Sequence, residues 1–230
     1  MIALPIGIIL LLILFALFGA TDIHFHRKPQ NGKIRVACVG DSITNGALIP
    51  GCFFRSYPAR LQRLLGEKYH VENYGLNERT AQVSADRPYV REKEFQRSLA
   101  FRPEIVVILL GTNDTKPHNW VSPEQFGKEY RELLKNYRDL ESVKRIILCM
   151  PPWQRDSANF LEHLTNDTSA ELTPFAAEEV KRIGEEESLP VIDLYREFYQ
   201  RKDLQNFDGL HPNGKGDDVI AERVYREILR

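Results

Sequence analysis

Short apolar runs rich in β-branched residues alternate along this chain with longer stretches whose apolar residues recur three and four apart. That alternation limits the possible folds more than any other feature. Parallel strands need a crossover of a dozen or more residues, which a helix supplies, so the rhythm specifies βαβ units on a parallel sheet. Five runs read as strands: Ile34 to Val39, Val71 to Tyr74, Glu104 to Leu110, Arg145 to Cys149 and Pro190 to Leu194. The third and fourth lack polar alternation and should be buried on both faces. Helices are expected over Tyr57 to Tyr69, Glu92 to Ala100, Glu124 to Leu140, Glu171 to Glu187 and Lys215 to Leu229. In Glu124 to Leu140, for example, Phe126, Tyr130, Leu133, Leu134 and Tyr137 share one face, and Pro123 suits the helix start. The expectation is a single α/β domain over residues 33–230, a three-layer α/β/α sandwich on a five-stranded parallel sheet; about 200 residues suit one core better than two. Leu76 to Val90 and Pro151 to Ala170 fit no regular element and directly follow strands. Ligands of open parallel sheets bind outside the carboxyl ends of strands, so these are the expected substrate loops.

Residues 1–20 are of another kind. Ile2 to Ala20 carries no charged side chain and is just long enough to span a bilayer as a helix. A membrane-targeting segment is expected there, followed by a linker over 21–32. The first basic residues, Arg27 and Lys28, come after the apolar run, and Phe18 stands where a cleavage site ending at Ala20 wants a small residue. Both features favour an uncleaved anchor over a signal peptide. The protein is expected to be membrane-anchored, through residues 2–20, or secreted or periplasmic. Arg27, Lys28, Lys33 and Arg35 would favour a cytoplasmic domain by the positive-inside rule, but the last two belong to the folded region, so the orientation stays open.

Lys and Arg total 31 against 32 Asp and Glu, a formal net charge of -1, so no global attraction to a polyanion exists and nucleic acid is not an expected partner. Cys38, Cys52 and Cys149 form no CxxC pair, and Cys38 and Cys149 lie in strand-like runs, which excludes a disulfide scaffold or zinc site. His24 and His26 make only an isolated pair, and no phosphate-binding glycine loop or GxGxxG occurs. No metal or cofactor is expected. The oligomeric state is not legible.

Chemistry-bearing residues gather at predicted strand ends. Gly40-Asp41-Ser42-Ile43-Thr44 follows the first strand and makes Ser42 a candidate nucleophile, although Thr44 rules out a GxSxG elbow and the turn alone also suits a serine N-cap. Asp208 and His211 lie three residues apart before the last helix; a serine needs a base, and the base needs a buried acceptor to hold one tautomer. Asn113, in Leu110-Gly111-Thr112-Asn113-Asp114 after the third strand, could aim an amide at a developing oxyanion. Gly75, after the second strand, could offer an uncrowded backbone N–H. Each segment read alone also fits an ordinary turn.

Their joint order, Ser then Gly then Asn then Asp-x-x-His, resembles the SGNH (GDSL-like) hydrolase family from about Lys33 to Leu229. The resemblance implies a flavodoxin-like fold in which Ser42 attacks an ester, His211 acts as base and then acid, and Asp208 orients His211. The N–H groups of Ser42 and Gly75 and the Asn113 amide would form the oxyanion hole. One departure stands out. The family's Asn-x-Gly-x-x-Gly-x-Thr block is matched by Asn73, Gly75 and Thr80, but Glu78 replaces the second glycine, which puts the following loop's conformation in question. The run Gly111 to Trp120 is similar to members that remove O-acetyl groups from sugars, and Trp120 and Trp153 are candidates for packing on a sugar face. The expected function is therefore a serine esterase that works by a Ser-His-Asp triad through an acyl-enzyme on short-chain acyl (acetyl) esters on carbohydrate, its substrate a small-molecule or carbohydrate ester. The alternatives are a lysophospholipase or thioesterase, and a non-catalytic binding module on the same fold. An esterase of this type should lose activity as His211 gains a proton on acidification.

Overall fold

The computed structural model describes residues 22, 25–30, 32–155 and 167–230. The apolar segment 1–20 and the middle of the second irregular loop lie outside the described residues. Five strands form one parallel sheet: β1 (Ile34–Gly40), β2 (Tyr69–Gly75), β3 (Ile105–Leu109), β4 (Arg145–Cys149) and β5 (Val191–Ile192), in the order β2-β1-β3-β4-β5. The helices among the described residues are α1 (Ser42–Asn45), α2 (Cys52–Arg55), α3 (Tyr57–Leu65), α4 (Lys93–Ala100), α5 (Pro123–Arg138), α6 (Thr173–Glu186), α7 (Leu194–Phe198) and α8 (Gly214–Ile228).

Successive strand residues point to opposite faces, so each strand feeds two cores. Ala37, Val39, Val106, Ile108, Ile146 and Leu148 meet Phe95 of α4, Phe126, Tyr130 and Tyr137 of α5, and Val180 of α6. Val36, Cys38, Val107, Leu109, Ile147 and Cys149 meet Tyr57 and Leu61 of α3 and Ile220 and Val224 of α8. The result is the expected α/β/α sandwich. The chain moves outward from β1 to β2 and then crosses back to β3 on the other side of β1. Loops leaving β1 and β3 therefore diverge, and a crevice opens at the carboxyl edge between them.

Most element boundaries fall within two residues of expectation, and two of the differences have a clear local reason. The helix read through Tyr69 stops at Leu65, where Gly66 takes φ 71, and the strand begins at Tyr69. Gln62 secures that turn, donating to the Gly66 and Tyr69 carbonyls while accepting from the Val71 N–H. The run Pro190 to Leu194 pairs only at Val191–Ile192, because the Asp193 side chain accepts from the Arg196 N–H and starts α7.

Residues in the 21–32 span lie against the domain. His26 stacks on Tyr74 with ring centroids 4.7 Å apart and bonds to Glu94 at 2.6 Å and Glu72 at 3.3 Å. Arg27 donates to the Val71 carbonyl at 2.9 Å and to Glu72 at 3.0 Å. This strap covers the edge strand β2, whose exposed backbone would otherwise invite pairing. Burial opposes charge on His26, but the two carboxylates outweigh it and raise its pKa to about 9. Among the described residues, no helix is long and apolar enough to cross a membrane.

Candidate active site

The site begins where β1 ends. A Cβ on Gly40 would stand 2.1 Å from Thr44 Oγ1 and 2.5 Å from the Leu109 carbonyl oxygen, so only glycine lets the chain fold back so tightly. Asp41 then accepts the Ile43 N–H at 2.9 Å and caps α1, a single turn whose first residue is Ser42. The cap is thus Asp41, which leaves the Ser42 hydroxyl available for other partners.

The Ser42 hydroxyl lies 2.9 Å from His211 Nε2, and His211 Nδ1 lies 2.6 Å from Asp208 Oδ2. The other Asp208 oxygen accepts the N–H groups of Leu210 and His211, each at 3.1 Å. Asp208 is fully buried, while Ser42 and His211 each keep 7% exposure at the crevice. Burial alone would raise the Asp208 carboxyl, yet His211 and the two backbone donors hold it below the usual carboxylate value. An ionised Asp208 accepts the Nδ1 proton and leaves Nε2 as an acceptor for the serine proton.

The turn carrying Asp208 and His211 is held from several sides. Asn206 receives a backbone bond to its carbonyl from Gly209 and donates to the His211 carbonyl at 2.8 Å. Gly209 adopts φ 70, and a Cβ there would meet Arg155 Cγ at 2.2 Å. Arg155, following β4, donates its backbone N–H to the Gly209 carbonyl at 3.1 Å and its guanidinium to the Phe207 carbonyl. Nothing in the sequence pattern marked this arginine, because it acts on backbone groups from an irregular segment.

Asn113 stands at the end of β3, at the head of a short 3-10 turn, Asn113–Thr115. It keeps 5% exposure, and its Nδ2 donates to the Arg79 carbonyl at 3.1 Å, which leaves the second amide proton for another acceptor. Next to it, the fully buried Asp114 accepts the N–H groups of Ala81 at 2.9 Å and Gln82 at 2.8 Å, tying the loop after β2 to the end of β3. Burial pushes both Asp41 and Asp114 up to about 7, against the pull of the backbone N–H groups they accept; the Asp41 charge adds to the rise at Asp114.

Gly75 reaches the same region in a different role from the expected one. Its N–H donates to Asn73 Oδ1 at 2.9 Å, so that donor is engaged within the protein. A Cβ on Gly75 would stand 2.3 Å from the Asn45 nitrogen, and the missing side chain therefore serves the close approach of α1 to β2. Glu78, in place of the second glycine, takes φ 64, the left-handed conformation that glycine adopts without strain. Trp120 packs on Phe126 at 5.8 Å against the first core, and the half-buried Trp153 packs on Tyr199 at 5.8 Å. In the segment from Gly111 to Trp120, Asn119 secures the loop after β2, its carbonyl accepting from Gln82 and its side chain bonding Asp86. A separate cavity of about 580 Å³ opens between α3 and the strap; Ser42, Asp208 and His211 do not line it. Among the described residues, no group of His, Cys, Asp and Glu has an arrangement that could hold a metal ion.

The profile of the GDSL-like Lipase/Acylhydrolase family matches residues 38–219, from within β1 to within α8. The chain is 36% identical to an acetylxylan esterase of Xylanibacter ruminicola, over 87% of this chain and 44% of that protein. It thus spans less than half the length of that relative. Among solved structures, it is similar to a carbohydrate acetylesterase family member from Sinorhizobium meliloti, with TM-score 0.68, 21% identity and coverage of 84% and 96% of the two chains. It is also similar to an aryl esterase of M. smegmatis, with TM-score 0.68, 18% identity and coverage of 84% and 97%. At these identities the structural likeness is one of fold. With the parallel sheet, the order of its loops and the family match in agreement, the chain belongs to the GDSL-like lipase/acylhydrolase family and has the SGNH hydrolase fold.

Proposed function

We propose that this enzyme removes short acyl groups, principally acetyl, from carbohydrate through a covalent Ser42 intermediate. The observation that carries the catalytic part is the relay of 2.9 Å from Ser42 to His211 and 2.6 Å from His211 to Asp208. Ser42 Oγ attacks the ester carbonyl carbon while its proton passes to His211 Nε2, and the Asp208 carboxylate stabilises the imidazolium. Negative charge on the carbonyl oxygen is met by the Ser42 N–H and the uncommitted Asn113 amide proton. Collapse breaks the bond to the sugar oxygen, which leaves as an alcohol with the proton from His211. Water then attacks the acyl-Ser42 carbonyl and loses its proton to His211; the returning proton restores Ser42 as acetate departs. The preference for acetyl on sugar is supported by the relative that is an acetylxylan esterase. Attachment to a membrane through residues 2–20 is part of the same proposal, supported by the uncharged run there.

The test compares hydrolysis of p-nitrophenyl acetate, butyrate and octanoate, then acetate release from acetylated xylan, by the full chain and by Ser42→Ala. Acetate preference that vanishes in the variant is expected. Octanoate preference would replace the carbohydrate assignment with a lipid esterase. Absence of Ser42-dependent turnover and of fluorophosphonate labelling would overturn the catalytic assignment in favour of a binding module. Attachment predicts that the full chain resists carbonate extraction from membranes and yields to detergent.

A further inference from the structure

The strap along β2 reaches the loop that forms one wall of the site. Asp22 Oδ1 accepts the Asn77 N–H at 2.8 Å, and Asp22 Oδ2 lies 3.4 Å from Arg79 Nη1. Asn77 Oδ1 in turn accepts from Asn45 Nδ2 at 2.8 Å, and Asn45 ends the helical turn that Ser42 begins. The Arg79 carbonyl accepts the Asn113 amide at 3.1 Å, while its guanidinium donates to the Asn77 carbonyl at 2.7 Å and to Glu92 at 3.0 Å. One carboxylate from outside the sheet thus holds both flanks of Glu78, and those flanks bond to Asn45 on one side and Asn113 on the other.

Glu78 itself explains why such a hold is needed. Its φ of 64 is a conformation that a residue with a Cβ resists, so the turn requires restraint from its neighbours. Asp22 supplies a charge-assisted hydrogen bond to the Asn77 N–H and an ion pair to Arg79. The strap is fixed nearby by His26 on Tyr74, Glu72 and Glu94 and by Arg27 on the Val71 carbonyl.

We propose that Asp22 is a positioning residue: it sets the Asn77 to Arg79 turn and, through the Arg79 carbonyl, the direction of the Asn113 amide. The inference rests on the assignment of Ser42 and Asn113 to ester hydrolysis. It makes the segment before the sheet a working part of the site, and a protein cut at Gly32 lacks it.

The experiment uses full-length chain with p-nitrophenyl acetate, measuring kcat and KM for wild type, Asp22→Ala, Asp22→Asn and Asp22→Ala combined with Glu78→Gly. Asp22→Ala should lower kcat about tenfold and move KM less than about twofold, because a displaced amide weakens the transition state more than substrate binding. Asp22→Asn should recover part of the loss, since its amide oxygen still accepts the Asn77 N–H. Adding Glu78→Gly should restore kcat, because glycine adopts this φ without the strain that Asp22 offsets; the Glu78 to Arg87 pair lost with it is half-exposed and contributes little. Unchanged kcat in Asp22→Ala, or a loss that Glu78→Gly does not relieve, overturns the proposal. If wild type itself shows neither turnover nor fluorophosphonate labelling at Ser42, the catalytic assignment has failed and this inference falls with it; labelled, active wild type with indifferent Asp22 variants refutes this inference alone.

Discussion

Replacing Gly209 with alanine puts two separable stresses on the turn that carries Asp208 and His211. The first is conformational: φ 70 is left-handed, and a Cβ there costs about 1 to 2 kcal/mol. The second is steric. The new Cβ would lie 2.2 Å from Arg155 Cγ and 2.5 Å from its Nε, so the arginine side chain must leave and surrender its bond to the Phe207 carbonyl. A hydrogen bond of this kind contributes about 1 kcal/mol net. Gly209→Ala should therefore cost about 2 to 3 kcal/mol, or roughly 4 to 12 °C in Tm for a domain of this size. Arg155→Ala alone should cost about 1 kcal/mol, and the double variant about the same as Gly209→Ala, because the bond can be lost only once. Urea unfolding of the four proteins gives the cycle, and kcat on p-nitrophenyl acetate should fall in each variant as the turn loosens. Fully additive costs would refute the contact between Gly209 and Arg155 as the source of the second stress. An Arg155→Ala protein with wild-type kcat and stability would refute the clamp itself.

Asp208→Asn should leave the protein folded while kcat falls by about 10³ to 10⁴, because an amide facing His211 Nδ1 no longer favours the tautomer with Nε2 free; a loss under tenfold would remove Asp208 from the relay. The buried acids give a pH signature. Asp41 and Asp114 titrate near 7 in the folded protein, above their unfolded value, so the native state binds more protons between about pH 4 and 7. Their contribution to stability is complete below the unfolded pKa and is lost as pH rises through about 7. Asp208, held below its usual value, contributes the opposite slope at lower pH. Asp41→Asn should consequently show a smaller fall in Tm than wild type between pH 5 and 7.5, and parallel curves would exclude burial of Asp41 as the cause.

Much of the site was legible because its residues occupy short segments adjoining strands. A strand read from its apolar run has a carboxyl end, and Ser42 and Asn113 follow two such ends on neighbouring strands of the sheet. Asp208 and His211 lie three apart in one turn, so their proximity was local. Arg155 and Asp22 carried no comparable signal. Arg155 meets a turn more than fifty residues away through backbone groups, and Asp22 meets Asn77 across 55 positions. For Gly75, residue type alone could not distinguish an open N–H from a surface needed for close packing; the distance to Asn45 separates the two.

By itself, the sequence determined the layer architecture, five strands and their flanking helices, because hydrophobic period and length are local properties that fold class follows. It also offered Ser42, His211 and Asp208 as candidates to attack, accept a proton and orient the base. Tertiary structure decided the strand order, the 2.9 Å approach of His211 to Ser42 across 169 positions, and the attachment of the strap to the loop after β2. These depend on which surfaces are buried together, and two segments distant in the chain acquire a distance only when the sheet between them has formed.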